Sequence, residues 1–497
     1  MGMRFLLGLM WLVTAGVAQA GWLVAETQHF RIHSTMNEAR LRREAAVLED
    51  YHKLLEILTG FETPQDMPRL NIYLVDSQKQ LAVVSPNVGQ NTLGFYTASP
   101  GGIVALALEP DAEGGWSGGR DTLLHEYAHH FMMLGGSTAV PAWYREGFAE
   151  YAMTASFRPD RIEFGGPNPG RYWQLRNFGW EPLEKILRGA KDTDWAKFYA
   201  QSWLLTHYLN RVEGMQAKRN AYLKKVAAGG DPVEAFRTEI DPDLDKFQSE
   251  LKRYINGRSA TMSRLTRTPP EPASVTITAL PKAADTALLP LVAIQLPQKA
   301  EDDARNLARI REAAARDPDN GWAKRALAIG EAASGDRELA AKLLDELIGQ
   351  DMQDAELLRW RASLYRADRP GASAADVDAA RKLLVRAWKA SPNDWQVLWA
   401  YANTFRSPQK LNEQVLDILW KAAELAPQVH ALAMKTGVEM ARAGHYEQAE
   451  ALIAPVVNDP HGGGALMLER NLLTALKSRD KTSVDAALMG MSFGQPK

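Results

Sequence analysis

At 497 residues the chain is longer than one hydrophobic core usually organises, so two or more folded units are expected. Its 46% hydrophobic and 24% charged residues, with a formal net charge of -2, describe ordinary globular material without the positive excess that nucleic-acid binding needs. The sequence contains no cysteine, which excludes disulfides and thiolate ligands and leaves His, Asp and Glu as the only strong donors for a transition metal.

In chain order, residues 1–20 read as an export signal. Arg4 precedes an apolar run from Phe5 to Ala18, and Ala18-Gln19-Ala20 forms a small-x-small cleavage site. The run is shorter than the roughly 20 residues a membrane span needs, so an exported protein, periplasmic or secreted, with no stable span after cleavage is expected. A first unit is expected over 21–260. His29 to His33 alternates like a short strand, and Glu38 to Leu58 places Leu41, Ala45, Leu48, Tyr51, Leu55 and Leu58 at helical spacing. Strands are predicted at Leu70 to Val75, Thr92 to Thr97 and Ile103 to Leu108, the last two separated by the turn signal Ala98 to Gly102. A Gly-rich stretch, Glu113 to Gly119, then leads to a helix with Asp121 as its N-cap candidate. Helices are also expected at Pro141 to about Arg158, Phe198 to Arg211 and Pro242 to Ile255, with a Gly-, Pro- and aromatic-rich loop from Phe164 to Trp180.

Residues 261–300, rich in Pro, Thr and Ala in their first part, read as a linker, and 301–480 as amphipathic helices in a repeating pattern. Pro318, Pro392, Pro427 and Pro460 recur at intervals close to one or two 34-residue periods. Gly335 with Ala340, and Gly444 to Ala449 followed by Pro460, resemble the second-helix start and closing proline of tetratricopeptide (TPR) repeats. Such pairs bury their apolar faces by stacking, which leaves a concave surface for a protein partner, and Trp322, Trp360 and Trp395 read as core aromatics. Residues 481–497 read as a C-terminal tail.

The chemistry concentrates in Leu124 to His130, Leu-His-Glu-Tyr-Ala-His-His. Residues four apart share a helix face, so His125 and His129 can both reach one ion. Glu126, one step round, flanks that ion where a general base belongs, in the pattern H-E-x-x-H. The competing reading is a solvated helix in which Glu126 pairs with His130 at i+4. Leu123, Leu124, Phe131, Met132 and Met133 instead make the helix apolar over much of its circumference, and imidazoles on a buried helix need partners. A catalytic zinc takes three protein ligands and keeps one open position, so His130 is read as a bystander. Trp143 to Tyr151 supplies a third-ligand candidate, Glu146, with Glu150 one turn further on the same face. Gly147 between them costs about 1 kcal/mol in a helix relative to Ala, which a close approach of the two motif helices around an ion would explain.

His125 to His129 followed by Trp143 to Tyr151 resembles the gluzincin-type zinc metallopeptidases, the peptidase MA group that is thermolysin-like and aminopeptidase-N-like. The resemblance is strong over Arg120 to Tyr151 and loose over the preceding strands. It implies an α+β zincin-like domain, a small sheet plus active-site helices, followed here by an all-α TPR-like domain. It further implies one catalytic Zn2+ on His125, His129 and Glu146, Glu126 as base, and Glu150 supporting the first histidine. The strand Ile103 to Leu108 would be the sheet edge that receives an extended peptide or protein substrate. The aminopeptidase segment G-x-M-E-N is absent, with Gly101-Gly102-Ile103-Val104 in that region, so an endopeptidase is expected. For the transition-state stabiliser the candidates are Tyr199, His207 and Tyr172. The alternative function is a non-catalytic TPR scaffold with a degenerate metallopeptidase-like domain. A polysaccharide-binding protein would rest only on export and on the aromatics between Arg171 and Trp180.

Overall fold

The computed structural model describes residues 21–110, 118–135, 140–189, 193–257, 261–266, 274–349, 353–369, 371–405, 411–457 and 467–489. The signal-like segment 1–20, most of the Gly-rich stretch before the motif helix, and Pro460 lie outside them.

The first unit opens with strands β1 (Leu23–Glu26) and β2 (Phe30–Ser34), helix α1 (Glu38–Thr59), strand β3 (Leu70–Val75), helix α2 (Gln78–Val84), and the hairpin β4 (Gly94–Ser99) and β5 (Gly102–Leu108). There follow α3 (Gly119–Leu134), α4 (Ala142–Ala152), the short strands β6 (Ser156–Arg158) and β7 (Arg161–Phe164), and helices α5 (Pro169–Asn177), α6 (Leu183–Arg188), α7 (Trp195–Arg211), α8 (Met215–Ala227), α9 (Pro232–Glu239) and α10 (Leu244–Asn256). Strands β8 (Ser263–Thr266) and β9 (Thr276–Ala279) precede α11 (Ala284–Gln295).

A six-stranded mixed sheet in the order β4-β5-β3-β2-β1-β9 organises this unit, and β6-β7-β8 form a second, three-stranded sheet. Strands β2, β3 and β5 run parallel, whereas β4 pairs antiparallel with β5 and forms one edge. The period-2 alternation of side chains divides the sheet between two cores. Ile72, Leu74, Ala105 and Ala107 face α1, α3, α4 and α7. Tyr73, Val75, Val104, Leu106 and Leu108 face α2 and α11.

Several expectations change. Residues 261–300, read as a linker, carry β8, β9 and α11, because the sheet otherwise leaves an edge at β1 and an apolar face beneath β3 and β5. Ile103 to Leu108 is an interior strand, and the edge is β4. The helix expected over 141–158 stops at Ala152, since Ser156–Arg158 pairs with β7. The aromatic-rich loop contains α5, capped by Asn168 and with Pro169 in its first turn. The N-cap of α3 is Gly118, with Asp121 in the first turn.

The helical region comprises α12 (Ala300–Arg316), α13 (Gly321–Ser334), α14 (Arg337–Gly349), α15 (Ala355–Ser363), α16 (Ala374–Ala390), α17 (Trp395–Asn403), α18 (Glu413–Leu425), α19 (His430–Ala443), α20 (Tyr446–Val457), α21 (Met467–Ser478) and α22 (Lys481–Met489). The region expected as a tail thus begins with a helix, α22, whose Val484 and Leu488 are buried. Consecutive helices pack on one another, and α11, α13, α15 and α17 also pack side by side, so helix pairs stack into an array. Gly335 caps α13 and Gly444 caps α19 in the left-handed region, placing both glycines at the expected inter-helix turns. Trp395 is buried, and Trp322 and Trp360 pack partly buried against the array core.

The array folds back onto the first unit. Gln396 Nε2 donates to Pro100 O at 2.9 Å, and Gln428 Nε2 to His130 O at 3.3 Å. Met67, Ala98 and Ile103 pack against the core of α17 to α19. The hairpin tip fits only as glycine at Gly101, where a Cβ would stand 1.7 Å from Gln295 O. Among the described residues no helix is long and apolar enough to cross a membrane.

Candidate metal centre

Helix α3 is buried on most sides because Leu123, Leu124, Tyr127, Ala128, Phe131 and Met132 pack into the main core. Its remaining stripe carries His125 and His129, and Pro141 sets the start of α4, which brings Glu146 across. His125 Nε2 and His129 Nε2 stand 3.1 Å apart, and Glu146 Oε2 lies 3.4 Å and 3.3 Å from them. One ligand atom from each residue falls within 4.8 Å of the others, so this buried group could hold a metal ion. Two imidazoles and a carboxylate, converging from two helices with 0% exposure at the carboxylate, suit a divalent cation: burying these polar groups without one would be costly. Burial works against protonating His125, yet Glu146, Glu150 and Glu126 overcome it and raise its pKa to about 9.

Glu150, one turn beyond Glu146, faces the other nitrogen of the same imidazole, with Oε1 3.6 Å from His125 Nδ1. It is fixed by a two-pronged contact from Arg171, at 2.9 Å and 2.6 Å. Arg171 is held in turn by α5, whose N-cap Asn168 accepts from the Arg171 amide, and its guanidinium lies 4.9 Å over the Tyr199 ring. Sequence reasoning did not assign Arg171 to the site. Its signal was one of two arginines in an aromatic-rich segment, and only the packing of α5 on α7 gives it a carboxylate.

Of the three stabiliser candidates, Tyr199 alone joins the site. Its ring centre lies 6.0 Å from that of His125, and its hydroxyl hydrogen-bonds Glu146. Burial, then the Glu146, Glu126 and Glu150 carboxylates, push its pKa far up, so it stays a hydrogen-bond donor. His207 is turned into the core, with Nε2 at 3.1 Å from Thr261 O and Nδ1 at 3.0 Å from Tyr254 Oη, and burial lowers its pKa to about 4. Tyr172 accepts from Arg176 on the same helix. A cavity of about 390 Å³ adjoins the cluster on the His125 side, lined by His125, Glu150, Asn168, Arg171 and Tyr199 among others; Tyr172 is not one of its walls, and neither are His129, Glu146 and Glu126.

His130 points away from the cluster, its Nδ1 3.0 Å from Tyr96 Oη on the edge strand β4. Burial and the neighbouring His52 lower its pKa to about 3, which keeps it neutral and unlike a charged partner for Glu126. Glu126 is half-buried, beside the cluster. The close approach at Gly147 differs from the expected one. A Cβ there would meet Ser202 O and Thr206 Oγ1, each at 2.2 Å, so α4 closes onto α7 rather than onto α3. That contact sets the distance between Glu146 and Tyr199. Compared with protein-family models and with curated proteins, the chain matches none.

Proposed function

We propose that this chain is an exported, zinc-dependent hydrolase of peptide bonds, acting as an endopeptidase on a zincin-like domain. The observation that carries the reading is the convergence of His125, His129 and Glu146 from two helices, with Glu126 beside the pair on the same turn of α3. When bound there, zinc supplies a Lewis acid that polarises a carbonyl and lowers the pKa of water to about 7. Glu126 takes the proton from water as water attacks the scissile carbonyl carbon, and delivers it to the departing amine. Tyr199 shifts its hydrogen bond from Glu146 to the carbonyl oxygen as negative charge builds there. Glu150, braced by Arg171, holds the His125 ring in orientation through Nδ1. The edge strand β4, rather than β5, offers backbone groups to an extended substrate. Export rests on the N-terminal signal-like sequence, and cysteine-free construction suits an oxidising compartment equally with a reducing one.

The test is a comparison of the wild-type chain with Glu126→Gln on a peptide library, with metal analysis of both. Both should bind one zinc per chain, and only the wild type should release internal fragments. The proposal fails if the variant cleaves as fast as the parent. Zinc at one per chain with no fragments from the wild type would favour the scaffold reading.

A further inference from the structure

The charged residues of the helical array are unevenly placed. A groove of about 550 Å³ crosses the C-terminal halves of α13, α15 and α17, and its charged lining is Arg337, Arg359, Arg366, Arg369 and Asp368. It continues through Ala367, Arg369 and Thr404 into a second cavity of about 560 Å³, whose charged lining adds Arg381 and Asp378. Asp378 is already paired with Lys382 at 2.7 Å. Five arginines and two aspartates thus line it in a chain whose net charge is -2, and one of the five, Arg359, also acts on Asp394 in the neighbouring cavity.

We infer that this groove binds an extended acidic peptide segment of another protein, its carboxylates held by Arg337, Arg359, Arg366, Arg369 and Arg381. The residue type is informative, since all five cations among the described lining residues are arginine and none is lysine. A guanidinium presents a rigid fork of N–H donors that matches a carboxylate two-to-two. Arg337 gives one nitrogen to Leu364 O, and Arg381 gives two to Thr404, at 2.8 Å and 3.0 Å, which anchors both heads and leaves further donors over. Arg337, Arg366 and Arg369 are exposed, and none of the three has an ion pair with a carboxylate among the described residues.

The floor of the groove is apolar and small, with Ala332, Ala362, Ala367 and Ala380 along it, which admits an extended backbone between the guanidinium rows. Single-stranded nucleic acid binds by stacking bases on accessible aromatic rings. The rings here, Trp399 and Phe405, are not among the exposed aromatics, and Arg381 already covers Phe405 at 3.7 Å. Charge and shape together favour the peptide. The groove also has a functional neighbour: Pro100, at the tip of the β4–β5 hairpin, forms part of its wall and is tied to Gln396. An occupant would therefore touch the hairpin whose edge strand contacts His130 of the motif helix through Tyr96.

The proposal is independent of the hydrolase reading. It is tested on the full chain, carrying Glu126→Gln so that no probe is cut, by fluorescence anisotropy with a labelled peptide of alternating Glu and Ala. Its Gln-for-Glu counterpart and a single-stranded oligouridine serve as comparisons. The Glu peptide should bind at least about tenfold more tightly than the Gln peptide, and weaken as salt rises. The exposed double substitution R366A/R369A should cost about tenfold or more with an unchanged melting midpoint. R366E/R369E should lose the Glu peptide and gain a Lys-Ala peptide. Equal binding of the Glu and Gln peptides, or no loss in R366A/R369A, overturns the proposal. Tighter binding of oligouridine than of the Glu peptide, lost in the same variant, also overturns it and assigns the groove to nucleic acid.

Discussion

Gly147→Ala perturbs the candidate site without touching a ligand. The added Cβ would stand 2.2 Å from Ser202 O, 2.2 Å from Thr206 Oγ1 and 2.7 Å from the Ser202 carbonyl carbon. The threonine can turn its hydroxyl away, but the Ser202 carbonyl is backbone in the middle of α7. Relief therefore requires α4 and α7 to separate by about 1 Å, since ordinary contact begins near 3.4 Å. Overpacking of this kind costs about 1–3 kcal/mol, and an overlap this deep belongs at the upper end. Alanine regains about 1 kcal/mol of helix propensity, which leaves a net loss of about 2 kcal/mol. For a unit of this size that lowers the thermal midpoint by roughly 4–8 °C. Because Glu146 precedes the glycine and Tyr199 lies one turn before Ser202, the same displacement should weaken zinc binding, measured by competition with a chromogenic chelator. Gly321→Ala is the control, since a Cβ there meets nothing within 4 Å. If Gly147→Ala keeps both its melting midpoint and its zinc affinity while Gly321→Ala behaves likewise, α4 and α7 do not constrain the site as argued.

Three further outcomes are expected. Tyr199→Phe should keep zinc and lower kcat by about 10²–10³-fold with little change in KM, measured on a cleaved library peptide; an unchanged kcat, with or without a rise in KM, would remove it from the reaction. Arg171→Ala should weaken zinc binding about 10–100-fold, because the buried Glu150 carboxylate loses its brace and no longer orients His125; unchanged affinity by chelator competition would reject that role. Stability should fall on acidification. Burial holds His33, His52 and His207 at pKa values of about 4, below the unfolded value near 6.5, so the unfolded chain takes up protons that the folded chain refuses. Their contribution is complete above about pH 6.5 and is lost as pH falls toward 4, on the order of 1 kcal/mol or more for each histidine. Denaturant midpoints across that window should decline, and less steeply in His52→Gln. A flat profile would contradict the burial argument.

Much of the local pattern between residues 29 and 134 was legible because it is written in periodicities, although the short helix α2 (Gln78–Val84) was not expected. The strand alternation of Leu70 to Val75, the helical spacing of Leu41 to Leu58, and the i, i+4 placement of His125 and His129 depend only on neighbours in the chain. So was the candidate third ligand, since Glu146 and Glu150 lie one turn apart on a single helix. Long-range pairing left no such trace. Thr276–Ala279 lies on a β-branched run, Val275 to Thr278, that favours a strand locally but does not say which strand it pairs with; Ser263–Thr266 pairs with β7, and α11 covers an apolar face that the first strands create.

The same distinction separates the site residues. The candidate ligands at 125, 129 and 146 and the candidate base at 126 followed from side-chain chemistry and helix geometry, which act within a few residues. The choice of Tyr199 over His207 and Tyr172, the brace from Arg171, the edge position of β4 and the partner of Gly147 were decided by how α5 and α7 pack on α4 and by the order of strands. Those relations join residues far apart in sequence, and the close packing that selects among them exists only once the tertiary structure has formed.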